Sequence, residues 1–211
     1  MAEPFPSLAH RLANDLIDIG AVTFSPDDPY TWASGIKSPI YCDNRLTMAY
    51  PRIRSLIAEG FAERIETLAL DPVVIVGTAT AGIPHAAWLA GHMGLPMAYV
   101  RSKPKQHGRG NQIEGIVEAG QRVVVIEDLI STGGSSAKTV NVLRDRGADV
   151  AAVLAIFSYG LPLSTNTFTA IQVPFDTLTN FPVMVEVAQQ KGYLDTRTVD
   201  ILENWRSMII K

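Results

Sequence analysis

The chain has 211 residues, of which 47% are hydrophobic and 18% charged, with a formal net charge of −3. That length suits one sizeable α/β domain rather than two large ones, and the charge balance creates no basic field to recruit nucleic acid or an anionic membrane. The single cysteine, Cys42, excludes an internal disulfide and a cysteine-based zinc cluster and fits a cytoplasmic setting; Met1 to Pro4 lacks a signal-peptide pattern, and no apolar run reaches membrane-spanning length.

Ser7 to Gly20 predicts an amphipathic helix. Leu8, Leu12, Leu16 and Ile19 lie near one face, with Ser7 as N-cap and Gly20 as C-cap. Val22 to Asp43 holds short β-prone pieces broken by Pro26, Pro29, Gly35 and Pro39. This predicts a small N-terminal flap or hood, roughly residues 20–45, outside the central sheet. Pro51 opens a second helix that runs to about Leu70.

A parallel α/β pattern starts at Asp71-Pro72. Strand Val73–Val76 leads into the small-residue loop Gly77-Thr78-Ala79-Thr80-Ala81-Gly82, a helix to about Met93 and a strand over Met97–Val100. Arg101 to Asn111 follows, with four of the 18 Lys/Arg residues and no acid. Arg101, Lys103, Lys105, His107 and Arg109 occupy alternate positions and share a face when extended. Pro104, Gly108 and Gly110 argue for a mobile loop, roughly 101–115.

Next comes Val123-Val124-Val125-Ile126-Glu127-Asp128-Leu129-Ile130-Ser131-Thr132-Gly133-Gly134-Ser135-Ser136. Four β-branched residues predict a strand buried on both faces, followed by two acids, a Ser/Thr/Gly loop and a helix from Ser135 to about Arg146. A further strand covers Val150–Phe157. Beyond Gly160 a polar stretch leads into helices near Pro182–Lys191 and Thr196–Ile210. Strands alternating with helices predict a doubly wound, mostly parallel sheet with ligands beyond the strand C-terminal ends. No linker interrupts the chain, so residues 1–211 read as one domain.

The Ser131–Ser136 loop opens a helix, where free N–H groups and the positive dipole end suit an anion, most simply phosphate. Glu127 and Asp128 would repel a polyphosphate, so they should face a neutral diol such as a ribose, or a metal. The pattern is not a Walker A loop, because Thr132 and Ala137 stand where glycines are required, and Gly108-Arg109-Gly110 fails as a dinucleotide fingerprint at Ile113. His10, His85 and His92 fall in predicted helices without metal-ligand spacing and read as structural or exposed.

The Val123–Ser136 run resembles the 5-phosphoribosyl-1-diphosphate (PRPP) motif of type I phosphoribosyltransferases. The resemblance implies that Glu127 and Asp128 hold the ribose hydroxyls, and that the loop Leu129, Ile130, Ser131, Thr132, Gly133, Gly134 and Ser135 binds the 5′-phosphate. Arg101, Lys105, His107 and Gly108 are similar to the catalytic loop of the orotate phosphoribosyltransferases. Ser34-Gly35-Ile36-Lys37-Ser38-Pro39-Ile40-Tyr41 resembles their flap, and Gly77–Gly82 their pyrophosphate-binding loop.

Together these imply an enzyme that moves the phosphoribosyl group of PRPP to orotate in pyrimidine biosynthesis. Arg101, Lys105 and His107 become catalytic and PRPP-binding residues, and Tyr41 and Ser131 contact orotate. Mg²⁺ is held mainly through PRPP, with no direct protein ligand. A homodimer is implied, with the basic loop reaching the partner's site, and no nucleic-acid or membrane partner. A PRPP-sensing regulator of the same fold and a purine transferase are the alternatives. The chain departs from many relatives at Ser102, and from some at Ala81, where lysines occur. It also departs at Ala33, again a lysine in some, and at Tyr159, near which some carry an arginine.

Overall fold

The computed structural model describes residues 7–32, 35–103 and 112–209. Helix α1 (Leu8–Asp18) starts where the Ser7 hydroxyl accepts the His10 N–H at 3.3 Å, and Gly20 turns the chain out at φ +71°. The hood follows as two antiparallel ribbons. Strand β1 (Val22–Phe24) pairs with β4 (Ile40–Cys42), and β2 (Tyr30–Thr31) pairs with β3 (Lys37–Ser38). A 3-10 turn over Asn44–Ala49 leads into α2 (Pro51–Thr67), whose Pro51 occupies the first turn as expected.

The remaining elements alternate. They are β5 (Val74–Thr78), α3 (Gly82–Met93), β6 (Met97–Val100), β7 (Ile113–Glu114), β8 (Arg122–Ile130), α4 (Gly134–Asp145), β9 (Asp149–Ser158), α5 (Pro162–Ala170), β10 (Phe175–Asn180), α6 (Phe181–Gln190) and α7 (Thr196–Met208). The central sheet has the order β10-β9-β8-β5-β6-β7, parallel except for the β6–β7 pair. From β5 the chain winds outward to β6 and then crosses back to β8 on the other side. The C-terminal ends of β5 and β8 therefore flank a topological switch point, where this architecture opens a crevice.

Both faces of the sheet are covered. Val124 and Ile126 of β8 join the core under α1, α2, α3, α6 and α7. Val123 and Val125 point into the core under α4 and α5, with Val140, Leu143 and Phe168. This explains the uninterrupted β-branched run.

Three elements differ from the sequence-based expectation. The polar stretch after Gly160 contains both α5 and the edge strand β10. The α5 sequence Pro-Leu-Ser-Thr-Asn-Thr-Phe-Thr-Ala has no apolar stripe, and tertiary packing of Phe168 overrides its weak propensity. Strand β10 alternates with polar residues because it is an edge. Strand β8 does not stop before the acids. Its ladder with β9 continues through Glu127↔Ala155 to Ile130↔Ser158, which keeps both acids in strand geometry.

Helix α3 crosses close to β8. A Cβ on Gly82 would meet the Ile126 carbonyl oxygen, with the Glu127 Cα 3.3 Å away. Gly82→Ala should therefore cost roughly 1–3 kcal/mol, as overpacking does. It should appear as a lower urea midpoint at unchanged slope. A wild-type midpoint would show that α3 shifts freely on the sheet.

Candidate active site

The PRPP-like run places its acids at the C-terminal end of β8, beside the switch point. Glu127 is 4% exposed. One of its oxygens accepts from the Ser135 hydroxyl at 2.9 Å and from the Ser136 hydroxyl at 3.2 Å, and the other accepts the Asp128 N–H at 3.2 Å. Burial pushes both carboxyls above their ordinary range. The neighbouring Asp128 charge adds to the effect on Glu127, while for Asp128 burial prevails over its hydrogen bond with Glu127, backbone hydrogen bonds and the attraction of Arg45. A buried acid beside a half-buried one holds its charge reluctantly until something neutral or cationic meets the pair.

The loop Ser131–Gly133 turns β8 into α4. Gly133 sits at φ +80°, and no side chain caps the helix and no acid lies in its first turn. The backbone N–H groups there suit an anion. Helix α5 braces this loop. The Thr167 hydroxyl donates to the Thr132 carbonyl at 2.9 Å, and a Cβ on Gly133 would meet the Phe168 ring at 2.9 Å. Sequence reasoning found the loop but not its brace, because α5 carries no helical apolar pattern. Ile130 is buried in the core, so its side chain supports the loop from below, whereas Leu129 is half-buried.

Two clefts flank this centre. One, of about 310 Å³, is lined by Trp32, Tyr41, Cys42, Asp43, Arg45, Asp128, Leu129, Ser131, Thr132 and Tyr159. Tyr41 and Ser131, the residues expected at a base, both lie here. The other, of about 440 Å³, includes Thr78 and Ala79 after β5, Arg101 and Ser102 after β6, and Ser135 and Lys138 of α4. The Thr78 hydroxyl is buried there without a hydrogen-bond partner. Such a group suits an incoming ligand oxygen.

Arg101 is anchored at the stem of the basic segment. Its N–H donates to the Gln112 carbonyl at 2.8 Å, and its Nη1 lies 3.2 Å from Glu114 Oε1. The β6–β7 pair thus fixes both ends of the segment at the sheet edge. Lys105, His107 and Gly108 lie outside the described residues, as does Ala33.

Tyr159 does not stand in for a charged group. It is 1% exposed, its hydroxyl accepts the Cys42 N–H at 3.1 Å, and its ring lies 4.7 Å from Trp32 and 6.1 Å from Trp205. Trp205 Nε1 donates to the Lys37 carbonyl at 2.7 Å. These rings bolt the hood to the sheet. Asn44, unremarked in the sequence, is fully buried, and its amide donates to the Asp128 carbonyl at 2.7 Å. Its position directly after the flap motif was the available signal.

Among the described residues no group of three or more His, Cys, Asp or Glu side chains is placed to hold a metal ion, and no helix is long and apolar enough to cross a membrane. His85 is buried on α3 and lowered by that burial to about 4, and His10 contacts Ser7 and Glu186.

The raised carboxyls have a consequence for stability. The folded state binds these protons more readily than the unfolded one, so the ligand-free fold is penalised at neutral pH, and the penalty fades as pH falls through the raised values. Glu127→Gln should therefore melt higher than wild type at neutral pH, with the gap closing toward the ordinary glutamate range, while PRPP affinity falls. Relief of this kind typically stabilises by about 0.5–2 kcal/mol, or about 2–4 °C per kcal/mol in a chain of this size. A ligand-free variant melting at or below wild type at neutral pH would refute this account of the pair.

A model of the phosphoribosyl transferase domain family matches residues 48–179. An orotate phosphoribosyltransferase of Enterococcus faecalis is 52% identical over 199 residues, 94% of this chain and 95% of that protein. The crystal structure of orotate phosphoribosyltransferase from Aeropyrum pernix superposes with a TM-score of 0.75 at 29% identity, over 87% of this chain and 99% of that one. A UMP synthase of Leishmania donovani shares the fold at a TM-score of 0.80 and 24% identity; 94% of this chain covers 42% of that one. The matched domain model and the relatives of about half identity over nearly the whole length show that the chain belongs to the phosphoribosyl transferase family, among the orotate phosphoribosyltransferases.

Proposed function

We propose that the crevice transfers the 5-phosphoribosyl group from PRPP to orotate, giving orotidine 5′-monophosphate and pyrophosphate. The observation that carries this reading is the acid pair between the two clefts. Asp128 lines the smaller cleft, while Glu127 bonds Ser135, which lines the larger. A ribose seated on Glu127 and Asp128 presents C1 between a base on one side and a leaving group on the other. Its 5′-phosphate meets Ser131–Ser135 and the N-terminus of α4.

In the reaction the bond from C1 to the pyrophosphate oxygen breaks, and that oxygen keeps the electron pair. A bond forms between C1 and a ring nitrogen of orotate. That nitrogen is already acidic, so no strong protein base is demanded. Positive charge builds on the ribose and negative charge on the leaving group, and the cations Arg101, Lys105 and His107 serve the latter. Thr78 and the loop after it contribute donors to the same group. Tyr41 covers the base, with Ser131 beside it.

Glu127 and Asp128, adjacent carboxylates whose proton affinity is raised by burial, fit the water shell of Mg²⁺, which when bound with PRPP neutralises pyrophosphate oxygens. The buried free thiol of Cys42 suits a reducing, cytoplasmic setting. The decisive assay is orotate consumption by the purified protein with PRPP and magnesium. Turnover of orotate well ahead of uracil, hypoxanthine and guanine is expected. PRPP binding without turnover of any base would instead indicate a sensor, and a purine preference a different transferase.

The enzyme acts as a homodimer in which the basic loop of one subunit covers the partner's site. Support comes from the family resemblance and from the position of the loop stems at the sheet edge. Lys105→Ala should lower the chemical rate by roughly a hundredfold, the usual cost of one donor to developing charge, and Asp128→Ala should also be inactive. Unfolding and reassociating the two variants together should restore about a quarter of wild-type activity, since half the dimers are mixed and each has one intact site. Mixed dimers as inactive as the parents would place the loop over its own subunit's site.

A further inference from the structure

The smaller cleft is poorly charged for an anionic base. Asp43 and Asp128 both line it, and its other described lining residues are neutral except Arg45. Orotate differs from uracil by a ring carboxylate, so it arrives as an anion facing two acids. Tyr159 is uncharged, buried and engaged with Cys42.

Arg45 is held in place. Its Nε donates to Asp43 Oδ1 at 2.6 Å and its Nη2 donates to Asp43 Oδ2 at 2.8 Å, a bidentate fork that fixes the guanidinium plane. The Arg45 N–H also donates to Asp43 Oδ1, at 3.1 Å. Asp43 thus spends both oxygens on Arg45 and presents little free acceptor to the cleft. The fork occupies one edge of the guanidinium. Nη1 has no hydrogen-bond partner among the described residues, and the side chain is 58% exposed. Its neighbour Asn44 ties the same turn to the Asp128 carbonyl, so the position of Arg45 is set relative to the acid pair.

We infer that Arg45 determines base specificity, its free guanidinium edge donating to the carboxylate of orotate and so favouring orotate over neutral pyrimidines. The inference rests on the orotate assignment above and adds a residue to it. Asp43 is the positioning residue that orients this donor.

The test compares orotate and uracil as substrates of the full chain, with PRPP and magnesium, in wild type, Arg45→Gln and Arg45→Lys. Losing a charged hydrogen bond should raise the KM for orotate about tenfold to a hundredfold in Arg45→Gln, with the KM for PRPP within about twofold. The kcat/KM for uracil should not fall, so the orotate preference drops by about the same factor as orotate binding. Arg45→Lys keeps the charge without the fork and should lie between. Melting temperatures of both variants should match wild type, since the side chain is exposed; if Arg45→Gln does not fold, Arg45→Lys is judged by the same criteria. An unchanged orotate-to-uracil preference, or a PRPP KM that rises in step with the orotate KM, overturns the inference. Failure of the underlying assignment is read in the unmutated protein, where absence of orotate turnover overturns both.

Discussion

The site depends on two adjacent carboxylates, Glu127 buried and Asp128 half-buried, at the end of a strand that is itself buried on both faces. A β-branched run such as Val123–Ile126 can cross the middle of a sheet without strain, but Glu127 and Asp128 cannot be desolvated there without compensation. The compensation is local. Ser135 and Ser136 donate to Glu127, the Asp128 N–H donates to the same side chain, and Asn44 secures the Asp128 carbonyl. Even so, burial pushes both acids up. Hydroxyl donors or cationic charge arriving there favour the charged pair.

The rest of the fold keeps that demand in register. Gly82 lets α3 lie against the backbone of β8, setting the distance between the loop after β5 and the acids. Thr167 and Phe168 hold the phosphate loop from behind. The hood is joined to the sheet by rings rather than by sheet pairing: Trp32, Phe157, Tyr159, Phe181 and Trp205 meet tilted or edge-on. Two hydrogen bonds, from Cys42 N–H to Tyr159 and from Trp205 to the Lys37 carbonyl, give that contact a direction. Tyr159 thus has a structural task that an arginine, with its charge and five donors, would not fulfil in the same buried position.

What was legible in the sequence follows from the range of the interactions involved. The parallel alternation, the buried strand and the phosphate loop are each written in consecutive residues, so their periodicity and spacing reveal them. Strand β10 and helix α5 are not. Their residues Phe-Asp-Thr-Leu-Thr-Asn and Pro-Leu-Ser-Thr-Asn-Thr-Phe-Thr-Ala are polar, and their conformations are imposed by β9 and α4, which are distant or tertiary partners. The length of β8 is hidden for the same reason, since acids disfavour strands and only the facing Ala155–Ser158 ladder reveals that this one continues. At the site, Tyr41 and Ser131 could be named from a motif. Asn44 and Arg45 matter through contacts to Asp128 and Asp43 that no spacing rule announces.

On the proposed reaction, the charges along the crevice suit one orientation of the substrate. The uncapped N-terminus of α4 is positive and the acid pair the negative element, and the larger cleft, which α4 also lines, carries Lys138 and Arg101, the latter paired with Glu114. A molecule with phosphate, diol and diphosphate in that order matches the sequence of signs in one direction. Reversing it would still place an anion at α4, but the two ends differ in charge and length. On that reaction the single phosphate meets the turn braced at Gly133 by Phe168, while the diphosphate takes the larger cleft, which Thr78 lines. On that proposal, charge aligns the molecule along the crevice, and the room at its two ends decides which way round it lies.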